Sequence, residues 1–217
     1  QVQSQYQIIH KIGSNKFSDI YIARCIPTNN VVAIKIYNLD DKNFDKLKCN
    51  LQELIGNTSF WFNEQHQNLI HFLSGLKLWC ISEFMDCGSC LDALSQIYPS
   101  GIDNEILIST IIKSVVSFLA YLHKDNKVYR RICPNNIFFS ANGEVKMDLI
   151  YTPVKELPDE QYIPPELKDS VKNISSKHKD SEETKKDTYT EKIDIYDIGI
   201  TAIALAIVKN PGKDVIN

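Results

Sequence analysis

The chain opens with short runs rich in β-branched residues. YQIIHKIG (6–13), DIYIARCI (19–26) and VVAIKIYN (31–38) each read as a strand, and Pro27-Thr28-Asn29-Asn30 marks a turn between the last two. From Asp41 to about Asn57 the period becomes helical, with Phe44, Leu47, Leu51, Leu54 and Ile55 on one stripe. NLIHFL (68–73) and LKLWCISEF (76–84) predict two more strands joined tightly at Ser74-Gly75. After Gly88 the pattern is helical. Residues 103–123 form the clearest helix, with Asp103 as its expected N-cap and Ile108, Ile111, Ile112, Val115, Leu119 and Leu122 on its core face. NIFFS (136–140) and EVKMDLI (144–150) predict a hairpin turning at Asn142-Gly143. The segment 168–192 is polar, mixed in charge and nearly free of apolar residues, which predicts a solvated loop. A last apolar helix, IDIYDIGITAIALAIV (193–208), follows. Five strands with one inserted helix, then a mainly helical part, give an α+β plan in two lobes.

Composition narrows the function classes. Of 217 residues, 43% are hydrophobic, enough for a real core. The formal net charge of -3, with acids and bases interspersed, gives no basic face for nucleic acid or an anionic membrane. No apolar run reaches the ~18 residues of a membrane span. The N-terminal QVQSQYQIIH lacks the basic-then-apolar pattern of a signal peptide, and the absence of an initiator Met points to a fragment. The six cysteines, scattered in apolar segments, read as reduced cytosolic thiols. Cys87 and Cys90 form a C-x-x-C, but no second pair completes four zinc ligands, so ordinary thiols flanking a turn is the preferred reading.

The candidate chemistry lies in an ordered series of short motifs. Val32-Ala33-Ile34-Lys35 stands on a strand, with Glu53 on the following helix. Gly13-Ser14-Asn15-Lys16-Phe17-Ser18-Asp19-Ile20 precedes it, Glu83-Phe84-Met85-Asp86 follows the fifth strand, and Tyr129-Arg130-Arg131-Ile132-Cys133-Pro134-Asn135-Asn136 forms a loop before the hairpin. Pro164-Pro165-Glu166 and Asp194-Ile195-Tyr196-Asp197-Ile198-Gly199 come last. In this order the series resembles a protein kinase. The resemblance implies an N-lobe over 1–83, a hinge at 84–86 and a C-lobe over 87–217 that is truncated after about residue 209. It implies that Lys35 holds ATP phosphates and pairs with Glu53, that Glu83 and Met85 flank the adenine, and that Ile12, Gly13, Ile20, Ala33 and Asn136 complete the nucleotide site. Asp194 would brace the backbone of the loop.

Three positions break the pattern. Arg131 stands where the general base belongs; it carries five donors and no acceptor, and losing a base costs on the order of 10²–10⁴ in rate. Cys133 replaces the loop cation, and Leu149 replaces the metal-binding aspartate. Asp148 lies one residue early, so strand alternation turns its carboxylate away. One glycine of three survives in the Gly-rich loop, and Asp19 adds negative charge near any phosphate. The residues therefore point to a pseudokinase, with ATP held, if at all, without magnesium. The alternatives are a residual sterile-20-group serine/threonine kinase using Asp148, and an interaction module with an empty pocket.

Among pseudokinases the chain resembles the STRAD adaptors. LWCISEFMDCGSCLDALSQIYPSGI resembles their strand, hinge and following helix; RRICPNNIFFSANGEV resembles their loop and hairpin; DIYDIGITAIALA resembles D-I-Y-S-V-G-I-T-A-x-E-L-A. The resemblance implies a cytoplasmic and nuclear adaptor that binds and activates a liver-kinase-B-type serine/threonine kinase, together with an armadillo-like scaffold. Arg130, Arg131, Tyr151 and Tyr162 are the implied partner contacts. The family's C-terminal Trp-x-Phe scaffold motif is not present in the closing Val215-Ile216-Asn217, and the 168–192 insert is extra.

Overall fold

A computed structural model describes residues 3–14, 18–38, 70–74, 77–124, 128–129, 132–148, 164–165 and 190–207. The helix expected over 41–57 and the polar segment 168–189 lie outside these. The chain divides into two compact units, Gln1–Met85 with Leu149–Glu156, and Asp86–Asp148 with Leu157–Asn217. The architecture is the expected two-lobed α+β plan.

The first unit is a five-stranded antiparallel sheet of β1 (Tyr6–Ser14), β2 (Ser18–Cys25), β3 (Val31–Asn38), β4 (Ile70–Ser74) and β5 (Lys77–Glu83), ordered β1-β2-β3-β5-β4. Strand alternation sorts its faces. Ala23, Ile34, Ile36, Trp79 and Ile81 cluster on one face, with Tyr6, Tyr21 and Val32 packed against them. Ala33, Lys35 and Tyr37 take the other. The β2–β3 turn closes where Asn29 adopts φ 59 and accepts from Arg24. Asn tolerates this left-handed conformation better than most residues. At the sheet edge, β1 shifts register between Ile8 and His10 and again between Lys11 and Gly13. Such bulges blunt an exposed edge against pairing with other chains.

In the second unit, α1 (Cys90–Gln96) starts at a capping box in which the Ser89 hydroxyl accepts from Asp92 N and the Asp92 carboxylate accepts from Ser89 N. For α2 (Glu105–His123) the cap is Asn104, not Asp103: Asn104 Oδ1 accepts from Ile106 N and Leu107 N at 3.0 and 3.2 Å. A cap must sit extended immediately before the first helical residue, and Ile102, buried two residues earlier, fixes where the chain leaves the core. Ile111, Val115, Leu119 and Leu122 are buried along α2, each contributing roughly 1.5–3 kcal/mol of burial. Ile108 and Ile112, expected on the same face, are half-buried.

β6 (Ile137–Phe139) pairs with β7 (Val145–Met147), and the turn is longer than the two residues expected. Gly143 N donates to Ser140 O and Ser140 N to Glu144 O, with Gly143 alone at positive φ. The final helix, α3 (Glu191–Ile207), packs on α2.

Gly101 ties the start of this unit to the end of α3. It adopts φ +99, and an added Cβ would stand 2.0 Å from Ala206 O. The next residue, Ile102, donates its N–H to Leu205 O, satisfying a carbonyl at the helix end. Gly143 also has positive φ, but nothing lies within 4 Å of its absent Cβ. In chemical denaturation, Gly143→Ala should therefore cost only the conformational ~1–2 kcal/mol. Gly101→Ala should cost clearly more, about 3–4 kcal/mol, because backbone must move as well. Equal losses would show that the close approach of Gly101 to α3 is not tight.

Candidate functional site

Each unit carries one part of the candidate chemistry. In the sheet, Lys35 is paired across the strands with Ile20 on β2 and Cys80 on β5, so these three side chains share a face. Ala33 lies on it too, opposite Ile22 and Ser82. The Lys35 ammonium stands 5.5 Å from the centroid of the Tyr37 ring, two residues along the same face, a cation–π contact that orients the amine. Ile12 lies at the second β1 bulge and is 47% exposed, and Gly13 pairs with Ile20. The Lys35 face thus gathers Ile20, Ala33 and Lys35 of the expected nucleotide residues. Glu83 ends β5, pairs with Val32 and is half-buried, as is Met85. Glu53, Arg130, Arg131, Leu149, Tyr151 and Tyr162 lie outside the described residues.

Asp19 is placed differently from expectation. Its cross-strand neighbour is Ile36, not Lys35, so its side chain belongs to the opposite face. There it pairs with Lys11 at 2.6 Å and accepts from the Tyr21 hydroxyl at 3.4 Å. The Lys11 hydrogen bond holds its carboxyl below the usual carboxylate range. Alternation along β2 removes this charge from the Lys35 face.

In the second unit the site is a loop gripped by a helix. Asp194 is fully buried in the first turn of α3. Its Oδ2 accepts from Tyr129 N at 2.8 Å and lies 2.8 Å from His123 Nε2 at the end of α2. This is the brace expected of Asp194. One helical turn on, Asp197 Oδ2 accepts from Ile132 N at 3.4 Å, and a further turn on, Thr201 Oγ1 donates to Ile132 O at 2.9 Å. Three polar side chains of one helix face therefore hold the main chain of the loop. Tyr129 adds a second tie, its hydroxyl donating to Asp148 O at 2.5 Å while its ring meets Phe118 edge-on at 5.4 Å. Asp148 N in turn donates to Asn136 O, and Asn136 N to Cys133 O. Asn136 and Asp148 thus join the loop to β7 through their main chains.

Asp197 and Thr201 were not singled out from the sequence. Their signal was present: polar residues at 194, 197 and 201 fall at i, i+3 and i+7, inside the stripe that an apolar helix should bury. Burial, and then the charge of Asp194, push the Asp197 carboxyl up to about 8. Cys133 starts the short 3-10 turn Pro134–Asn136 with no side-chain cap. Of the C-x-x-C pair, Cys87 is exposed and Cys90 is buried; burial, then Cys133, raise the Cys90 thiol to about 12, which makes it a poor nucleophile or ligand at neutral pH. No group of three or more His, Cys, Asp or Glu among the described residues is arranged to hold a metal ion. Pro164 is buried and Pro165 exposed.

The grip of α3 sets a ranking of substitutions. Asp194→Ala leaves a buried amide and His123 without their carboxylate and should cost about 3–5 kcal/mol in urea denaturation. Thr201→Val removes one neutral hydrogen bond at nearly constant volume and should cost about 1–2 kcal/mol. A Thr201→Val loss as large as that of Asp194→Ala would contradict this division of the grip.

The protein kinase domain family matches residues 6–215. Among similar proteins, the STE20-related kinase adapter protein beta of Homo sapiens is 32% identical, over 97% of this chain and 51% of that protein. The serine/threonine-protein kinase fray1 of Dictyostelium discoideum is 29% identical, over 97% of this chain and 36% of that protein. The serine/threonine-protein kinase ppk11 of Schizosaccharomyces pombe is 28% identical, over 95% and 63% respectively. The chain thus spans from about a third to nearly two thirds of the length of these relatives. A strand lysine on a small antiparallel sheet, a loop held at its main chain by a buried helix aspartate, and this match over nearly the whole sequence place the chain in the protein kinase domain family.

Proposed function

We propose that this chain is a kinase-family adaptor that binds and activates a partner serine/threonine kinase of the liver-kinase-B type, in the cytoplasm and nucleus, and transfers no phosphate itself. The observation that carries the reading is a mismatch between scaffold and chemistry. The loop is held by Asp194, Asp197 and Thr201. Yet the positions that a kinase uses for base, loop cation and metal ligand read Arg131, Cys133 and Leu149. Phosphoryl transfer rests on positioning and charge neutralisation, so a kept shape without those groups suits recognition better than transfer. The likeness to a protein named as a kinase adapter supports the adaptor side of the reading.

Nucleotide binding belongs to the same proposal. Ile20, Ala33 and Lys35 share one sheet face, and the turning of Asp19 to the other removes a repulsion that the sequence implied. Lys35 would hold phosphate oxygens and small Ala33 would leave room for the adenine. Leu149 cannot bind magnesium, so ATP would be held without it.

Three experiments test this. With labelled ATP and a generic protein substrate, the chain should show no turnover; turnover abolished by Lys35→Met or Asp148→Ala would overturn the proposal in favour of a residual kinase. Mixed with a liver-kinase-B-type kinase, it should co-purify and raise that kinase's activity, and Arg131→Glu should weaken both. ATP should raise the melting temperature with or without chelator, by an amount equal to ~2.7 kcal/mol at a hundredfold excess over the dissociation constant. No binding and no activation would leave a nucleotide-binding or empty module instead.

A further inference from the structure

The two carboxylates of α3 are not built alike. Asp194 faces two nitrogens at 2.8 Å, Tyr129 N and His123 Nε2. Asp197 has a single amide contact at 3.4 Å, and its Oδ1 is buried with no hydrogen-bond partner. Both are 0% exposed. A buried carboxylate is stable as an ion only when two or three donors or a cation meet it. Asp194 has two nitrogens at hydrogen-bond distance, and Asp197 has one longer contact. The groups around Asp197 deepen the difference. On its own helix stand Asp194, a like charge one turn back, and Thr201, whose hydroxyl is committed to Ile132 O. From α2 comes His123, whose Nε2 is engaged by Asp194 and whose Nδ1 lies 3.9 Å from Glu191. Among the described residues of the loop, the main-chain groups of Tyr129 and Ile132 face this helix.

We propose that Asp197 is a proton-linked latch: as a neutral carboxylic acid it lets the loop main chain at Ile132 seat on α3, and opening of the loop releases its proton to water. The step is one proton exchanged with solvent, with no other bond made or broken. The inference does not depend on the adaptor reading, since it concerns the hold of α3 on the loop and not what the loop recognises.

The sign follows from linkage. In the closed state the Asp197 carboxyl is raised to about 8, and in the open state it returns towards the ordinary 3.8. A raised acid favours the closed state fully below the open-state value, and that support is lost as pH rises through the closed-state value. Opening therefore becomes easier with rising pH, by up to tenfold per unit between about pH 4 and about pH 8, and then levels off. Across the neutral range a one-unit acidification tightens the latch.

The test uses the whole chain. Carbon-13 carboxyl NMR of the Asp-labelled protein should show Asp197 titrating near the alkaline end of neutral. Amide exchange, corrected for its intrinsic pH dependence, should show Ile132 losing protection as pH rises from 5.5 to 8, and Asp197→Asn should abolish that slope. An Asp197 carboxyl that titrates below pH 5 overturns the proposal, as does an unchanged slope in Asp197→Asn. If Asp197→Asn does not fold, the wild-type titration and slope decide alone: a flat Ile132 profile overturns the latch.

Discussion

The second unit depends on one arrangement, a helix that buries carboxylates in order to hold another segment's main chain. Backbone N–H and C=O groups of a loop that leaves the surface need partners, or each costs the desolvation of a polar group. Here α3 supplies them: Asp194 for Tyr129 N, Asp197 for Ile132 N and Thr201 for Ile132 O. The helix surrenders apolar area on its buried side to do so, and Ile195 is left 60% exposed. Packing of α2 brings His123 to Asp194, so the first carboxylate gains a ring-nitrogen partner from a neighbouring helix. The second has only the longer contact to Ile132 N, and its Oδ1 is buried without a partner.

The sequence showed the elements well where one period ran unbroken. The strands around VVAIKIYN and LKLWCISEF and the long helix before His123 emerged within a residue or two, because alternation and the 3.6 period are local properties. The cap of α2 was misplaced by one residue, since Asp103 and Asn104 are both good caps and only the packing of Ile102 decides between them. The hairpin at Gly143 is longer than its sequence predicts for a similar reason: Asn-Gly names a turn, but the register of β6 on β7 fixes its length.

The candidate site divided along the same line. Lys35 and Asp194 could be found because each sits in a short ordered motif. Asp19 could be found too, but its direction could not be judged from proximity in sequence; pairing with Ile36 rather than Lys35 put it on the other face. Asp197 and Thr201 escaped notice because helix amphipathicity is usually read for apolar stripes, and these residues interrupt one. A polar residue inside a stripe that should be buried marks a place where the helix serves another segment's backbone.

One property of the grip reaches beyond stability. Asp194, Asp197 and Thr201 all engage main-chain atoms, at residues 129 and 132. Main-chain atoms are the same whatever side chain is attached. These three contacts therefore exert no choice over which amino acids stand at 130, 131 and 133, where a kinase keeps much of its chemistry. A lineage can replace those side chains one at a time without first losing the loop's course. Change in the loop's side chains and change in its course are separable histories in such a chain.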